Sequence, residues 1–100
     1  MRKDRRIIRL DKMIEYIVVE TDKSYVDVSE VFRKLRLEFR KIENELGSNP
    51  FIEIRIGVKA RSPKVERFLM FKLARVYGSK FGVETIGRVP EEQVLARVRV

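Results

Sequence analysis

The stretch FIEIRIGVKARSPKVERF, residues 51 to 68, contains the change from strand to helix on which the fold depends. Its first half alternates strictly between polar or glycine positions and four aliphatic ones, Ile52, Ile54, Ile56 and Val58. This alternation is typical of a half-buried β-strand. Ser62 and Pro63 then predict a helix start, because serine caps free amides and proline needs no amide partner there. We therefore predict a strand followed by a helix that runs to about Tyr77.

The same stretch also concentrates positive charge around the predicted helix start. Four cationic side chains lie there, Lys59, Arg61, Lys64 and Arg67. The amino end of a helix presents unpaired amides and the positive end of its dipole, and both favour an anion. Lys64 has the unfavourable sign for that dipole, at a cost of about 0.3–1 kcal/mol that a bound phosphate would offset. We predict that these side chains bind phosphates, the alternative being a well-solvated turn.

An amphipathic helix precedes this stretch at residues 28 to 46. Its apolar residues recur at steps of three and four: Val28, Val31, Phe32, Leu35, Phe39, Ile42 and Leu46. Asp27 is its predicted cap, Glu30 completes a capping box, and Gly47 is its predicted end. Three arginines follow one flank and form a second candidate phosphate surface, Arg33, Arg36 and Arg40. Scattered ion pairs on a solvated face are the alternative, and the sequence favours that alternative for this row.

The first twelve residues are predicted to form a basic arm, and residues 13 to 100 a single α/β domain. The arm holds six Lys or Arg and two Asp, and its Arg5 and Arg6 are candidates for nucleic-acid contact. Residues 13 to 21, MIEYIVVET, are β-branched and of strand length. A helix from Ile7 to Ile17 is the alternative, because apolar residues in this range also keep helical spacing.

The last segment, VETIGRVPEEQVLARVRV, predicts two strands on either side of a turn at Pro90, Glu91 and Glu92. The second strand is expected to place Val94, Ala96, Val98 and Val100 on one side. The order of elements is then βαβαββ. We predict an α/β fold, a two-layer sandwich in which two helices cover one face of a four-stranded mixed sheet.

The composition narrows the classes of function. The chain carries 23 Lys and Arg against 15 Asp and Glu, a net charge of +8, which favours a polyanionic partner. It has neither Cys nor His, so thiolate metal sites, disulfides and Ser-His or Cys-His catalysis are excluded. We predict a cytoplasmic protein that is not an enzyme and has no cofactor, metal, membrane segment or small-molecule substrate. Its few Asn and Gln beside abundant Lys, Arg and Glu are typical of proteins from hot environments.

The motif Lys59-Ala60-Arg61, between an alternating strand and the second helix, resembles Alba, the small archaeal chromatin and RNA-binding proteins. The resemblance in element order covers residues 13 to 100. It implies the βαβαββ sandwich that Alba shares with the carboxyl-terminal domain of translation initiation factor 3. It also implies a homodimer that contacts the nucleic-acid backbone through Lys59 and Arg61. Ser62 stands where that family usually has glycine.

Two functions follow as hypotheses. The first is a non-enzymatic, sequence-nonspecific protein that binds DNA or RNA through its basic strand-loop-helix surface. The second is a structural subunit or homodimer assembled without nucleic acid through the broad apolar side of the second helix, Met70, Phe71, Ala74, Tyr77 and Phe81. Phe32, Phe39 and Phe71 are expected in the core. Phe68 lies among cations on the helical wheel, where it can stack on a base or pack under the arm.

Overall fold

The computed structural model describes residues 13–47, 49–88 and 90–100. Within these ranges strands and helices alternate as β1 (Met13–Thr21), α1 (Val28–Leu46), β2 (Ile52–Ala60), α2 (Pro63–Tyr77), β3 (Gly82–Thr85) and β4 (Val94–Arg99). A 3-10 turn at Glu91–Gln93 precedes β4. The predicted arm, with its candidate residues Arg5 and Arg6, lies outside the described residues.

β1, α1 and α2 have the bounds that the sequence predicts, and β2 differs by one residue at each end from the alternating stretch at residues 51 to 59. β1 is a strand over all of Met13–Thr21, so the helical alternative is wrong where it overlaps the described residues. The Asp27 side chain caps α1 by accepting a hydrogen bond from the Ser29 amide at 3.0 Å. Gly47 ends the helix at φ 60°, a left-handed conformation that glycine adopts without strain.

One detail of the α1 cap differs from the prediction. Glu30 was expected to complete a capping box, but its carboxylate instead lies 3.6 Å from Arg33 and 3.3 Å from Lys34. Cations three and four positions ahead on a helix are within easy reach of a carboxylate and compete with the cap for it. The cap therefore depends on Asp27 alone among these side chains.

The four strands form an all-parallel sheet in the order β3-β2-β1-β4. The prediction of a mixed sheet is wrong, because β3 and β4 are not a hairpin but lie at opposite edges. The segment between them, residues 86 to 93, crosses three strand spacings, about 14 Å. The turn signal at Pro90 begins the 3-10 turn within this crossover. Alternation identifies a strand but not its partner, and the same turn residues suit both connections.

Both helices pack on one face of the sheet, as predicted. The main core joins them to alternate residues of the strands: Ile17, Val19, Val31, Leu35, Ile56, Val58, Val65, Leu69, Leu73 and Val98. The opposite face, here called the open face, has a smaller cluster in which Ile86 packs on Tyr16 and Val18. Ile86 lies so close above Gly57 that a Cβ on this glycine would overlap its side chain. The crossover thus covers the middle of the open face.

The register of β4 shifts by one residue at its start. Tyr16 pairs with Val94, but the next residue of β1, Ile17, pairs with Ala96, so Leu95 is the extra residue of a bulge. Val94 consequently packs in the open-face cluster, whereas Val98 lies in the main core. The prediction that Val94 shares a side with Val98 is therefore wrong. The bulge leaves Arg97 and Arg99 on the open face.

Candidate functional site

Lys59 and Arg61 lie where β2 reaches the carboxyl edge of the sheet. Lys59 is opposite Glu20 of β1, and Glu20 is in turn opposite Arg99 of β4. Arg61 continues the pairing, since its amide donates to the Thr21 carbonyl at 3.2 Å. The three cations share a hollow of about 230 Å³ with Glu20 and Asp22, lined by Glu20, Thr21, Asp22, Lys59, Ala60, Arg61 and Arg99. This hollow is basic on balance, but it also contains carboxylates.

Lys64 lies in the first turn of α2 and lines a different hollow. Ser62 caps the helix by accepting from the Val65 amide at 3.4 Å, so one of the amides expected to hold a phosphate already has a partner. The hollow beside Lys64 measures about 440 Å³ and separates the start of α1 from the first turns of α2. The four cations that the sequence places around the helix start are thus divided between surfaces.

The side of α2 that points away from the core carries cations and aromatic rings together. We call this surface the α2 outer face, and it consists of Lys64, Arg67, Phe68, Phe71, Lys72 and Arg75. Arg67 and Phe71 lie opposite the buried residues Val65, Leu69 and Leu73, and Lys72 lies beside them. The single carboxylate of α2, Glu66, is half-buried at another angle of the helix. The α2 outer face is therefore positive along its whole length.

The cations of the α2 outer face have aromatic rather than acidic neighbours. The Lys72 ammonium lies 5.6 Å from the centre of the Phe68 ring, and the Arg75 guanidinium carbon lies 6.0 Å from that of Phe71. These are distances at which a cation is attracted to the face of a ring. Within residues 13–47, 49–88 and 90–100, no carboxylate lies within ion-pair distance of Lys64, Arg67, Lys72 or Arg75.

Three aromatic side chains on this side of the molecule are exposed. Phe71 is 59% exposed, Phe68 is 41% exposed, and Tyr25, in the loop before α1, is 79% exposed. Tyr25 and Phe68 both line the 440 Å³ hollow, together with Lys64. The prediction that Phe71 is in the core is wrong, because the core side of α2 is set by Val65, Leu69 and Leu73. The hollow and the α2 outer face are therefore contiguous through Phe68 and Lys64.

Sequence reasoning singled out Phe68, gave Phe71 both as a core residue and as part of an apolar docking side, and missed Tyr25. The second helix is apolar over so much of its circumference that the wheel alone does not show which apolar side faces the sheet. The spacing of Val65, Leu69 and Leu73 by four residues could have identified the side of α2 that faces the sheet. Residues at this spacing lie on one side of a helix. Phe71 lies nearly opposite that row.

The arginine row of α1 is exposed beside α2. Arg33 pairs with Glu30 at 3.6 Å, while Arg36 and Arg40 are exposed and form no ion pair with the described residues. Burial raises the pKa of Tyr77 above its usual value, and the charge of Arg36 lowers it by a smaller amount. Two of the three predicted arginines are thus exposed, and Arg36 lies near the carboxyl end of α2.

The arginines of the open face are neutralised by carboxylates. Arg97 pairs with Glu20 at 3.1 Å and also with Glu91, and Arg99 lies 3.7 Å from Glu20. The bond to Glu91, followed by the charge of Glu20, raises the pKa of Arg97. Every arginine on β4 therefore has an acidic partner, unlike the cations of α2.

A second charged group occupies the other half of the open face. Arg55 lies 2.7 Å from Glu53 and 3.5 Å from Glu84, and the bond to Glu53 is the main reason that its pKa is raised. The Tyr16 hydroxyl donates to Glu84 at 2.6 Å. This bond, with burial, raises the pKa of Tyr16 above its usual value. In this group two carboxylates share one guanidinium, so it offers a polyanion no unpaired positive charge.

Comparisons with known proteins return no relative: no family model matches the chain, and no curated protein or solved structure matches it. In the part of the chain that the structure describes, no group of three or more acidic side chains is placed to hold a metal ion. No helix among those residues is long and apolar enough to span a bilayer. The α2 outer face and the adjoining hollow are the features that a function has to explain.

Proposed function

We propose that the protein is a non-enzymatic, sequence-nonspecific nucleic-acid-binding protein that contacts phosphates through the α2 outer face. The observation that supports this most strongly is the set of four α2 cations without an acidic partner among the described residues. A row of such cations gains free energy on binding a polyanion, because condensed counterions are released. Long, flexible cations that reach phosphates carry no information about base sequence.

The hollow at the carboxyl edge extends the proposed surface. Lys59 and Arg61 precede α2 in the chain and line this hollow with Arg99. Glu20 and Asp22 in the same hollow weaken its attraction for phosphates, so we rank it below the α2 outer face. Lys59 and Arg61 are also the residues of the Alba resemblance, which stays a prediction, as do the proposed contacts of Arg33, Arg36 and Arg40.

A salt titration of nucleic-acid binding tests the proposal. Fluorescence anisotropy would follow labelled duplex DNA, duplex RNA and single strands between 50 and 300 mM salt, about the range in which counterion effects are large. We expect affinity to fall steeply with salt. In a plot of the logarithm of the association constant against the logarithm of salt concentration, each phosphate contact contributes about 0.9 to the downward slope for duplex DNA. For single strands the contribution is about 0.7. In the Lys64→Ala/Arg67→Ala variant the slope should be smaller by the contribution of about two phosphate contacts.

The matched control removes two cations that already have acidic partners. Lys41→Ala/Arg97→Ala changes the net charge by the same amount but removes cations whose carboxylate partners are Glu38 and Glu20. It should change the slope much less than Lys64→Ala/Arg67→Ala does. Melting temperatures of both variants should stay close to that of the wild type, because all four side chains are exposed. Binding with no salt dependence, or an equal effect of the two variants, would contradict the proposal.

A homodimer built on α2 is the competing function, and the exposure of Phe71 and of Val76, at 59% and 55%, favours it. Part of the apolar set predicted to dock is used within the subunit, because Tyr77 and Phe81 pack on Phe39 with ring centres 5.2 and 4.8 Å apart. Sedimentation velocity distinguishes the two functions. A tight dimer that ignores nucleic acid supports this one, and a monomer that binds nucleic acid excludes it.

A further inference from the structure

We propose that Tyr25, Phe68 and Phe71 stack on unpaired bases, so that the α2 outer face binds single-stranded nucleic acid in preference to duplex. This inference rests on the proposed function and specifies its ligand. It starts from the exposure of the three rings, which range from 41% to 79% exposed. A group of exposed aromatic rings leaves apolar area in water and usually marks a contact surface.

The charge around the rings favours a polyanion over another protein as the occupant. Lys72 and Arg75 lie over the faces of Phe68 and Phe71, and Lys64 borders the hollow between Phe68 and Tyr25. An apolar protein surface would have to remove water from these cations without neutralising them, which is costly. A second copy meeting this face across a two-fold axis would bring like charges together. A strand of phosphates supplies the complementary charge.

The exposed rings favour single strands over duplex. In a duplex the faces of the bases are covered by their neighbours, so a protein ring can stack only on a base that is unpaired or at an end. Phe68 and Phe71 are three residues apart on the helix, and such side chains are about 5–6 Å apart at Cβ. A flexible strand can place successive bases at such positions while its phosphates contact the flanking cations.

The hollow offers the first of these positions. Its volume of about 440 Å³ lies within the range of ligand sites, roughly 300–1,000 Å³. Tyr25 and Phe68 contribute aromatic walls, Val26 and Val65 add apolar ones, and Lys64 contributes positive charge. Asp27 also lines the hollow, and its carboxylate accepts a hydrogen bond from the Ser29 amide that it caps. The flat apolar walls suit the face of a base, and Lys64 suits an anionic phosphate.

A tryptophan reporter provides the direct test, because the chain contains no Trp. Phe71→Trp introduces a single indole on the α2 outer face, and Phe51→Trp introduces one at a comparable exposure, since Phe51 is 54% exposed at the start of β2. We expect dT and rU oligonucleotides of about twelve nucleotides, within the site size of small single-strand binders, to quench the fluorescence of the Phe71→Trp variant. The same oligonucleotides should leave that of the Phe51→Trp control unchanged. A duplex of equal length should quench neither.

Affinity measurements with alanine variants complete the test. Phe71→Ala should weaken single-strand binding by about 5- to 150-fold, the effect of one lost base stack, and leave duplex binding near the wild-type value. Phe51→Ala should change neither. Sedimentation of the Phe71→Ala variant and the wild type would show whether this ring instead holds two copies together.

The outcomes separate this inference from the proposed function. Salt-dependent binding in which Phe71→Ala has no effect, or in which duplex is bound as tightly as single strands, would overturn the stacking inference while leaving phosphate binding in place. Absence of binding to all the nucleic acids would overturn both. A dimer that dissociates in Phe71→Ala, without any change in nucleic-acid affinity, would assign the surface to a second copy and overturn the inference.

Discussion

The α2 outer face and the open face of the sheet are both rich in cations, but they differ in their acidic neighbours. On the open face, Arg97 has Glu20 and Glu91 as partners, and Arg55 has Glu53 and Glu84. On α2, the four outer cations have no such partner among the residues that the structure describes.

The difference has a structural origin. In a parallel sheet, carboxylates from distant parts of the chain are brought beside arginines by the pairing register, as Glu20 is beside Arg99. A side chain on the outer side of a helix meets mainly the partners that its own sequence supplies three and four positions away. Counting charged residues along the chain therefore overstates the unpaired positive charge on the open face of this sheet. The same count gives a better measure of the unpaired positive charge on the α2 outer face.

The largest effect on the free energy of unfolding is expected from a substitution that fills the space between the crossover and the open face. Gly57→Ala places a methyl group against Ile86, the residue that covers the middle of the open face. Overpacking of this kind costs about 1–3 kcal/mol of unfolding free energy, and urea denaturation would measure it. Gly87→Ala, on the same crossover, has open space around its Cβ and serves as the control. An unchanged midpoint for Gly57→Ala would show that the crossover does not pack on this face.

A smaller effect, on the affinity for nucleic acid, is expected when carboxylates of the open face are replaced. Glu20→Gln/Glu91→Gln deprives Arg97 of both carboxylates and Arg99 of its partner. If the ion pairs with carboxylates prevent these arginines from binding phosphates, the affinity for nucleic acid should rise several-fold at low salt. The salt dependence should also become steeper, by the contribution of about one or two phosphate contacts. Anisotropy measurements would detect the change.

Glu43→Gln/Glu45→Gln is the matched control for this prediction. It changes the net charge by the same amount on α1, at two exposed carboxylates that form no ion pair with the described residues. An equal gain in both variants would mean that total charge, and not the release of particular arginines, determines binding.

The smallest effect concerns Tyr16 and appears only in alkaline solution. Its pKa is raised in the folded protein, chiefly because its hydroxyl donates to Glu84. The unfolded chain therefore loses this proton first, at about pH 10, and the stabilisation is lost as the pH rises from there through the folded-state pKa. Tyr16→Phe should show a shallower fall in unfolding free energy above that pH.

Glu84→Gln supplies the second arm of a double-mutant cycle. It replaces the carboxylate that accepts the Tyr16 hydrogen bond, the main cause of the raised pKa, with a neutral amide. It should therefore also make the fall shallower, and the double variant should not flatten it further. Additive effects of the two substitutions would show that the hydrogen bond between Tyr16 and Glu84 is not the cause. Urea denaturation at several alkaline pH values measures all four proteins.

The sequence predicts the elements of this fold better than their arrangement. β1, α1, β2 and α2 follow from local signals, such as the caps Asp27 and Ser62 and the alternation of β2. The pairing of β4 does not, because an alternating strand after a turn at Pro90 suits both a hairpin and a crossover. The bulge at Leu95 is likewise set by the partner strand β1, and no local pattern indicates it.

The candidate site was predictable to a similar degree. Lys64, Arg67 and Phe68 stand out on a helical wheel, because an amphipathic pattern shows which residues share a flank. The separation of Lys59 from Lys64 into different hollows was not predictable, since it depends on how the chain turns between Ala60 and Pro63. Tyr25 lies in a loop, where no periodicity indicates which way a ring is exposed.

The position of β4 beside β1 has a consequence for how the protein is made. Arg97 and Glu20 are 77 positions apart in the chain, yet their strands are neighbours in the sheet. At a synthesis rate of about 5–20 residues per second, roughly 4–15 s pass between the synthesis of Glu20 in β1 and that of Arg97 in β4, the strand that pairs with this edge. A nascent chain of this kind exposes the unpaired backbone groups at this edge of β1 for that time.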